Sequence, residues 1–484
     1  MFDKYFKFLK AKPGESAAIP TKPDAAGGDV PDRSMAGLAS GLEAETKTTV
    51  LIDTSDIISD QVITDTLAID THGERTSTPQ MLKRFVGREP IVNTLQQITG
   101  YEFSLRNELD TDETPTLLQM RDEMLIASVT DLGILANLGN KSAFVGIAPA
   151  TLTSEWLSLL PCDKVILAVD TLQITDREQT LDHCRRRIKE GFRIALDKVV
   201  AVPEMAPLLR LADYVRIDTD QYDALALGKQ IMVLLQYTKA TLIARNVKSE
   251  DDFTACRLMA FGGFQGYYFT QLQPDLPHRI DNSRAKVLEL LNMVRSHAEI
   301  NALEDVLKRD AVLSYKLLTY INAPGNGLSR KLDTLTQALI LLGYNRFYRW
   351  LTLLLFTGGK LDARGETLLQ NSLIRARLTE TLATPELSPE DCDSLFVTGI
   401  FSLLDALLNI PMEQAIAHLN LSDNLTQALI YDQGIYAPYL RLAIACENAP
   451  QSRIAELAHA AGLNVDRVNL AHVKALLWAE EFSR

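Results

Sequence analysis

Glu102, Asp197, Arg216, Arg245 and Gln265 each stand late in or just after an apolar run, and Arg106 follows one turn's length beyond Glu102. Carboxylates in such places can hold divalent cations or move protons. Guanidinium forks grip phosphates through paired hydrogen bonds, and an amide can read a base edge. The opposing reading is that these arginines pair with Glu102, Asp197 and Asp218 and close whatever cleft they share. Both readings require that distant segments bring the six residues to one place.

The first such segment is FVGREPIVNTLQQITGYEFSLR, Phe85 to Arg106. Its β-branched and aromatic residues alternate with polar ones around an Asn turn, which predicts a strand, a turn and a second strand carrying Glu102 near its end. Apolar runs follow at Ala143–Ile147, Val165–Val169, Phe192–Leu196, Tyr214–Ile217, Thr241–Ala244 and Phe264–Phe269. Continuous runs of this kind suit parallel strands buried on both faces. Helical patterns lie between them, at 180–190 and 222–239, and a capping-box-like Ser249–Asp252 opens another. This alternation predicts a TIM-like (β/α) barrel. A doubly wound sheet is the alternative, but no Gly-rich phosphate loop follows the first strand. In a barrel the C-terminal strand ends face one pocket, and here they hold Glu102, Gly146, Ala168, Asp197, Arg216, Arg245 and Gln265.

At 484 residues the chain is too long for one ordinary core, and 46% hydrophobic with 23% charged residues describes a globular protein. A formal charge of -13 argues against a general nucleic-acid or anionic-membrane binder. Cys162, Cys184, Cys256, Cys392 and Cys446 are scattered and without a CxxC pair, which favours a reducing cytosol and offers no cysteine zinc site. No run reaches the length of a membrane span and no apolar signal core opens the chain, so the expected location is cytoplasmic.

Phe2, Tyr5, Phe6 and Leu9 recur at helical spacing among lysines, either as an amphipathic docking hook or as a frayed terminus. Residues 11–47 have a linker's composition and are expected to be disordered. The acidic, apolar 48–69 stretch reads equally as an edge strand or a segment that binds in trans. The Pro-punctuated Gln273–Arg279 closes the barrel, and beyond it helical patterns run to the C-terminus. The expected division is a largely disordered tail over 1–80, a barrel over 81–273 and an all-helical domain over 274–484.

The stretches REPIV, GYEFSLR, GFRIALDKVV, ADYVRID and FQGYYF resemble the EAL-domain cyclic di-GMP phosphodiesterases, in the branch fused to an HDOD domain. In that family two divalent metals at the strand ends generate the attacking hydroxide. The resemblance implies that the first metal-binding Glu is Glu102, while the next position, an Asn, is Gly146. The following acid is Ala168, and its companion falls at Thr171, beside Asp170. Of two paired aspartates Asp197 remains and Lys198 replaces the other. The catalytic Lys is Arg216, which cannot readily exchange a proton. Two late glutamates are Arg245 and Lys248, and Gln265 is retained. The expectation is a degenerate EAL barrel with no cofactor and no phosphodiesterase activity, and with Glu102, Arg106, Asp197, Arg216, Arg245 and Gln265 as candidate residues of a vestigial ligand pocket.

The helical half resembles HDOD domains through Lys308–Gly327, Leu335–Leu351 and Ser394–Leu408. Its histidines form no His-Asp dyad, so a metal hydrolase is not expected. The loop Pro324–Gly327 and the cluster Tyr344, Arg346, Phe347, Tyr348, Arg349 and Trp350 are candidate contact sites, with the core as the competing place for the aromatics. The resulting expectation is a non-enzymatic signalling protein that acts as scaffold or regulator on other signalling proteins, with self-association left open. A cyclic di-GMP receptor without turnover is the alternative, and a weak phosphodiesterase using Asp170 or Asp218 is the third.

Overall fold

A computed structural model describes residues 85–106, 114–200, 202–273, 282–322, 332, 334–357, 362–417 and 419–483. The amphipathic stretch 2–9, the segments 11–47 and 48–69, most of the 273–279 linker, the loop 324–327, and His72, His278 and His418 lie outside the described residues.

The apolar runs form a closed barrel of eight strands. They are β1 (Val86–Asn93), β2 (Ile98–Leu105), β3 (Ser142–Ile147), β4 (Val165–Asp170), β5 (Arg193–Asp197), β6 (Tyr214–Asp218), β7 (Thr241–Arg245) and β8 (Gly263–Gln265). β1 runs antiparallel to both its neighbours, and the others are parallel. The outer helices include α1 (Pro115–Asp131), α2 (Arg177–Lys189), α3 (Ala224–Tyr237) and α4 (Glu250–Leu258). Ser249 and Asp252 close the reciprocal capping box that their spacing predicts. The FQGYYF run departs from expectation. It is strand only to Gln265, because Gly266 takes φ 143° and Tyr268–Thr270 turns into a 3-10 helix.

That turn explains the glycine. A Cβ on Gly266 would collide with the backbone oxygen of Val247, and the positive φ disfavours any L side chain. Gly266→Ala is expected to destabilise the protein by roughly 2 kcal/mol or more. Chemical denaturation checks this, and an unchanged midpoint would contradict it.

Inside the barrel, Ile91, Phe144, Ile166, Ala168, Ala195 and Ile243 form a small apolar plug. Outside, a larger core joins the strands to the helices. The helical half contains α5 (Asn282–Arg295), α6 (Ile300–Lys308), α7 (Ala311–Ile321), α8 (Leu335–Thr357), α9 (Ala363–Ala383), α10 (Pro389–Phe401), α11 (Asp423–Ile430), α12 (Ala437–Asn448), α13 (Gln451–Ala460) and α14 (Val465–Ser483). Two short helices, Leu404–Leu408 and Met412–Ala417, separate α10 from α11. α8 is two helices joined at a break at Gly343 (φ 70°, ψ 168°). The aromatic cluster on it divides. Phe347 and Trp350 are buried, with Trp350 stacked on Tyr320, whereas Arg346 is exposed.

Barrel and helical half belong to one compact unit. Because β1 turns directly into β2, no connecting helix covers that wall, and α9, α12 and α14 cover it instead. Tyr101 Oη donates to Glu480 at 2.7 Å, and Val86 N to Asn469 Oδ1 at 3.0 Å. Arg364 donates to the Phe269 and Gln271 carbonyls at 3.0 and 2.8 Å. Asn409 and Gln273 exchange two hydrogen bonds of 2.8 Å each. Among the described residues no helix is long and apolar enough to cross a membrane.

Candidate functional site

Side chains two residues apart on a strand share a face. One step of two beyond the interior plug therefore places Glu89, Gly146, Asp170, Asp197, Arg216 and Arg245 at the barrel mouth, starting from Ile91, Phe144, Ala168, Ala195, Tyr214 and Ile243 respectively. The β1–β2 register sets Glu89 opposite Glu102, and the β1–β8 register sets Ile91 opposite Gln265.

Arg216 sits at the centre and is buried. Its Nε donates to Asp197 Oδ1 at 2.6 Å, its Nη2 to Glu102 Oε1 at 2.8 Å, and Nη2 also bonds Asp197 Oδ2. Arg245 lies 3.4 Å from the other Glu102 oxygen and 3.1 Å from Asp218. Gln265 Nε2 donates to Glu89 at 2.8 Å and to Glu102 as well. On the rim, Lys198 pairs with Asp170 at 2.8 Å and Lys248 with Asp220 at 3.2 Å.

Burial alone would raise the Glu102 carboxyl, but Arg216 and then Arg245, with hydrogen bonds from Gln265 and Arg216, outweigh it and hold it at about 2. Burial works against the charge on Arg216, and Asp197 and Glu102 overcome it and raise its pKa. Glu89 moves the other way, raised by burial and then by the neighbouring Glu102.

Five of the six predicted residues thus converge: Glu102, Asp197, Arg216, Arg245 and Gln265. Arg106 does not join them. Its guanidinium turns to the C-terminal end of α12, donating to the Ala449 carbonyl at 2.7 Å, the Ala445 carbonyl at 3.4 Å and the Glu447 carbonyl. A cation there complements the helix dipole and reaches carbonyls of the last turn, of which Ala445 also accepts from the Ala449 N–H at 2.8 Å. Gly146 and Ala168 bring no oxygen-bearing side chain to the mouth. Among the described residues, no group of three or more His, Cys, Asp or Glu side chains is placed to hold a metal ion.

Sequence reasoning missed Glu89 and the Lys198–Asp170 pair. Glu89 was within reach, because pairing REPIV against GYEFS across the Asn turn aligns it with Glu102.

Two cavities flank this cluster. One, of 220 Å³, is bounded by Glu102, Gly146, Ala168, Asp197 and Arg245. The other, of 670 Å³, opens between the barrel rim and the junction of α12 with α13, and Arg88, Glu89, Arg106, Lys248, Tyr267 and Glu447 line it. Only the second falls in the range of roughly 300–1,000 Å³ usual for small-molecule sites.

Residues 280–416 match the family model of the HDOD domain. The helical half therefore carries an HDOD domain behind an eight-stranded barrel, and α12 and α14, which cover the barrel wall, follow the matched stretch. The chain is 28% identical to the uncharacterized protein YuxH of Bacillus subtilis, over 82% of this chain and 98% of that one. It is 24% identical to the cyclic di-GMP phosphodiesterase CdgJ of Vibrio cholerae, over 84% and 94% of the two chains. Among solved structures it is similar to the EAL-domain protein YkuI of Bacillus subtilis, determined with cyclic di-GMP and calcium, at 16% identity, a TM-score of 0.34 and coverage of 49% and 72%.

Proposed function

We propose that the protein is a non-catalytic signal-transduction regulator that acts through protein contacts, in which an EAL-type barrel has exchanged its metal site for a set of ion pairs. The observation that carries this reading is Arg216, whose guanidinium bonds both Glu102 and Asp197 where a metal would need their oxygens. Divalent cations require several anionic or neutral oxygens each. Of the acids at this mouth, Glu102 and Asp197 are held by Arg216, Asp170 by Lys198 and Asp218 by Arg245, while Glu89 accepts from Gln265. The residues present do not fit a two-metal centre.

Similarity to a protein named as a cyclic di-GMP phosphodiesterase supports descent from that enzyme class, and the HDOD domain supports a role in signalling. In this reading the chain divides into a tail (1–80), the barrel (81–273) and the helical domain (274–484). The purified protein with manganese or magnesium is expected to leave cyclic di-GMP intact, as followed by chromatographic separation of the linear product. Metal-dependent turnover that is lost on Glu102→Gln would overturn the proposal.

A second reading, binding of cyclic di-GMP without cleavage, is favoured by the 670 Å³ cleft beside the mouth. Calorimetric titration separates the two: saturable heat without product supports the receptor, and no heat at high micromolar nucleotide supports the first reading alone.

A further inference from the structure

Arg88 projects from the outer face of β1 into the seam between barrel and helices, and it is 1% exposed. Among the described residues none of its three guanidinium nitrogens has a hydrogen-bond partner. It forms no ion pair among the described residues; the Tyr101 ring lies 5.2 Å from its Cζ, and although burial disfavours the charge, Tyr267, Tyr101, Glu447 and Glu480 together outweigh it. Buried guanidinium groups are ordinarily paired and hydrogen-bonded, so this one calls for a partner. It lies in the wall of the 670 Å³ cleft.

Several of the charges around that cleft are already held. Glu447 is held by Arg375 through bonds of 2.6 and 2.8 Å, Glu102 by Arg216 and Arg245, and Lys248 by Asp220. Among the described residues Arg106 bonds carbonyl oxygens and no carboxylate. Arg88 and Arg106 thus stand without an ion pair among the described residues, beside Glu89, whose ionisation burial and Glu102 both disfavour. The positive potential registers elsewhere in the seam. His472 is buried against Phe85, and burial first, then Arg88 and Arg106, keep it neutral.

We propose that the seam cleft is an anion site for a phosphate group, free or carried by a nucleotide, built jointly by Arg88 and Arg106 of the barrel and the α12–α13 junction of the helical half. Arg106 supplies the half-buried, reachable guanidinium. Arg88 supplies a second charge whose field crosses a poorly polarisable wall instead of water and so keeps its strength. An anion there would neutralise both and would tie the barrel to the helical domain, making the seam responsive to a ligand. This goes beyond the regulatory reading and does not depend on the barrel-mouth cluster.

The test titrates the full chain with inorganic phosphate, and separately with cyclic di-GMP, at constant ionic strength set by chloride, and reads the unfolding midpoint and calorimetric heat. Arg88→Met removes the buried charge at similar length. Asn448→Asp places a carboxylate on an exposed position that lines the same cleft, so it tests the site even where Arg88→Met fails to fold. Saturable stabilisation by either probe, weakened at least tenfold in Asn448→Asp and in a folded Arg88→Met, is the expected result. A response to phosphate alone identifies the free anion, and a response to both identifies the shared group. No response beyond chloride, or one that both substitutions leave unchanged, overturns the proposal. In the second case cyclic di-GMP would be binding at the barrel mouth.

Discussion

Arg216→Met is expected to lower the stability of the protein by roughly 3–5 kcal/mol, the range found when one partner of a buried ion pair is removed. The side chain keeps its length and loses its charge, leaving Glu102 and Asp197 to face each other. Arg245, 3.4 Å from Glu102, compensates only in part. The pH dependence gives a second signature. Glu102 is lowered from 4.5 to about 2 in the folded protein. A carboxyl lowered on folding contributes stability that is fully present above its unfolded pKa and is lost as pH falls towards the folded one, here from about 4.5 to about 2. The full shift corresponds to roughly 3 kcal/mol. Glu89 acts with the opposite sign, because its raised pKa makes protonation favour the fold. Urea denaturation at neutral pH and at pH 3 should therefore show the natural protein weakening with acid and Arg216→Met weakening less. A substitution that costs under 1 kcal/mol at neutral pH and leaves the acid response unchanged would mean that Arg216 does not hold the mouth together.

The second large effect is expected at the seam. Glu480 of α14 is buried and accepts from Tyr101 at 2.7 Å, Lys141 at 2.5 Å and Gln370 at 3.0 Å. Glu480→Ala strands the Tyr101 hydroxyl in the interior, at roughly 1–3 kcal/mol for an unsatisfied group, takes one hydrogen bond from the Gln370 amide, and opens a cavity. Lys141 is more exposed and recovers water. The expected loss is about 3 kcal/mol, with faster amide exchange along β1 and β2, whose outer wall α14 helps to cover. Glu480→Gln retains the volume and one acceptor and should restore much of the protection. Equal exchange in Glu480→Ala and the natural protein would show that α14 is not what closes that wall.

These two residues also mark what a sequence can disclose. The barrel was legible because its strands are unbroken apolar runs, and the mouth was legible because charged residues follow those runs at a fixed place. The partners of Arg216 follow once the strand ends are known to converge. The seam was not legible. Glu480 and Tyr101 lie 379 residues apart, and no local pattern links them. α14 carries the buried polar groups His472 and Glu480 on the face that a periodicity argument expects to be wholly apolar, which hides its role in covering β1 and β2. Arg106 shows the converse. Its spacing from Glu102 predicts a place at the mouth, but the end of α12 offers it three carbonyl oxygens, and that contact decides where it points.

The central claim is that guanidinium groups occupy the place of metal ions at the barrel mouth. Manganese titration of the purified protein at neutral pH, followed by the electron paramagnetic resonance signal of the free ion, tests it most directly. No saturable binding below millimolar manganese is expected, in the natural protein and in Glu102→Gln alike. Micromolar binding of manganese that disappears in Glu102→Gln would contradict it.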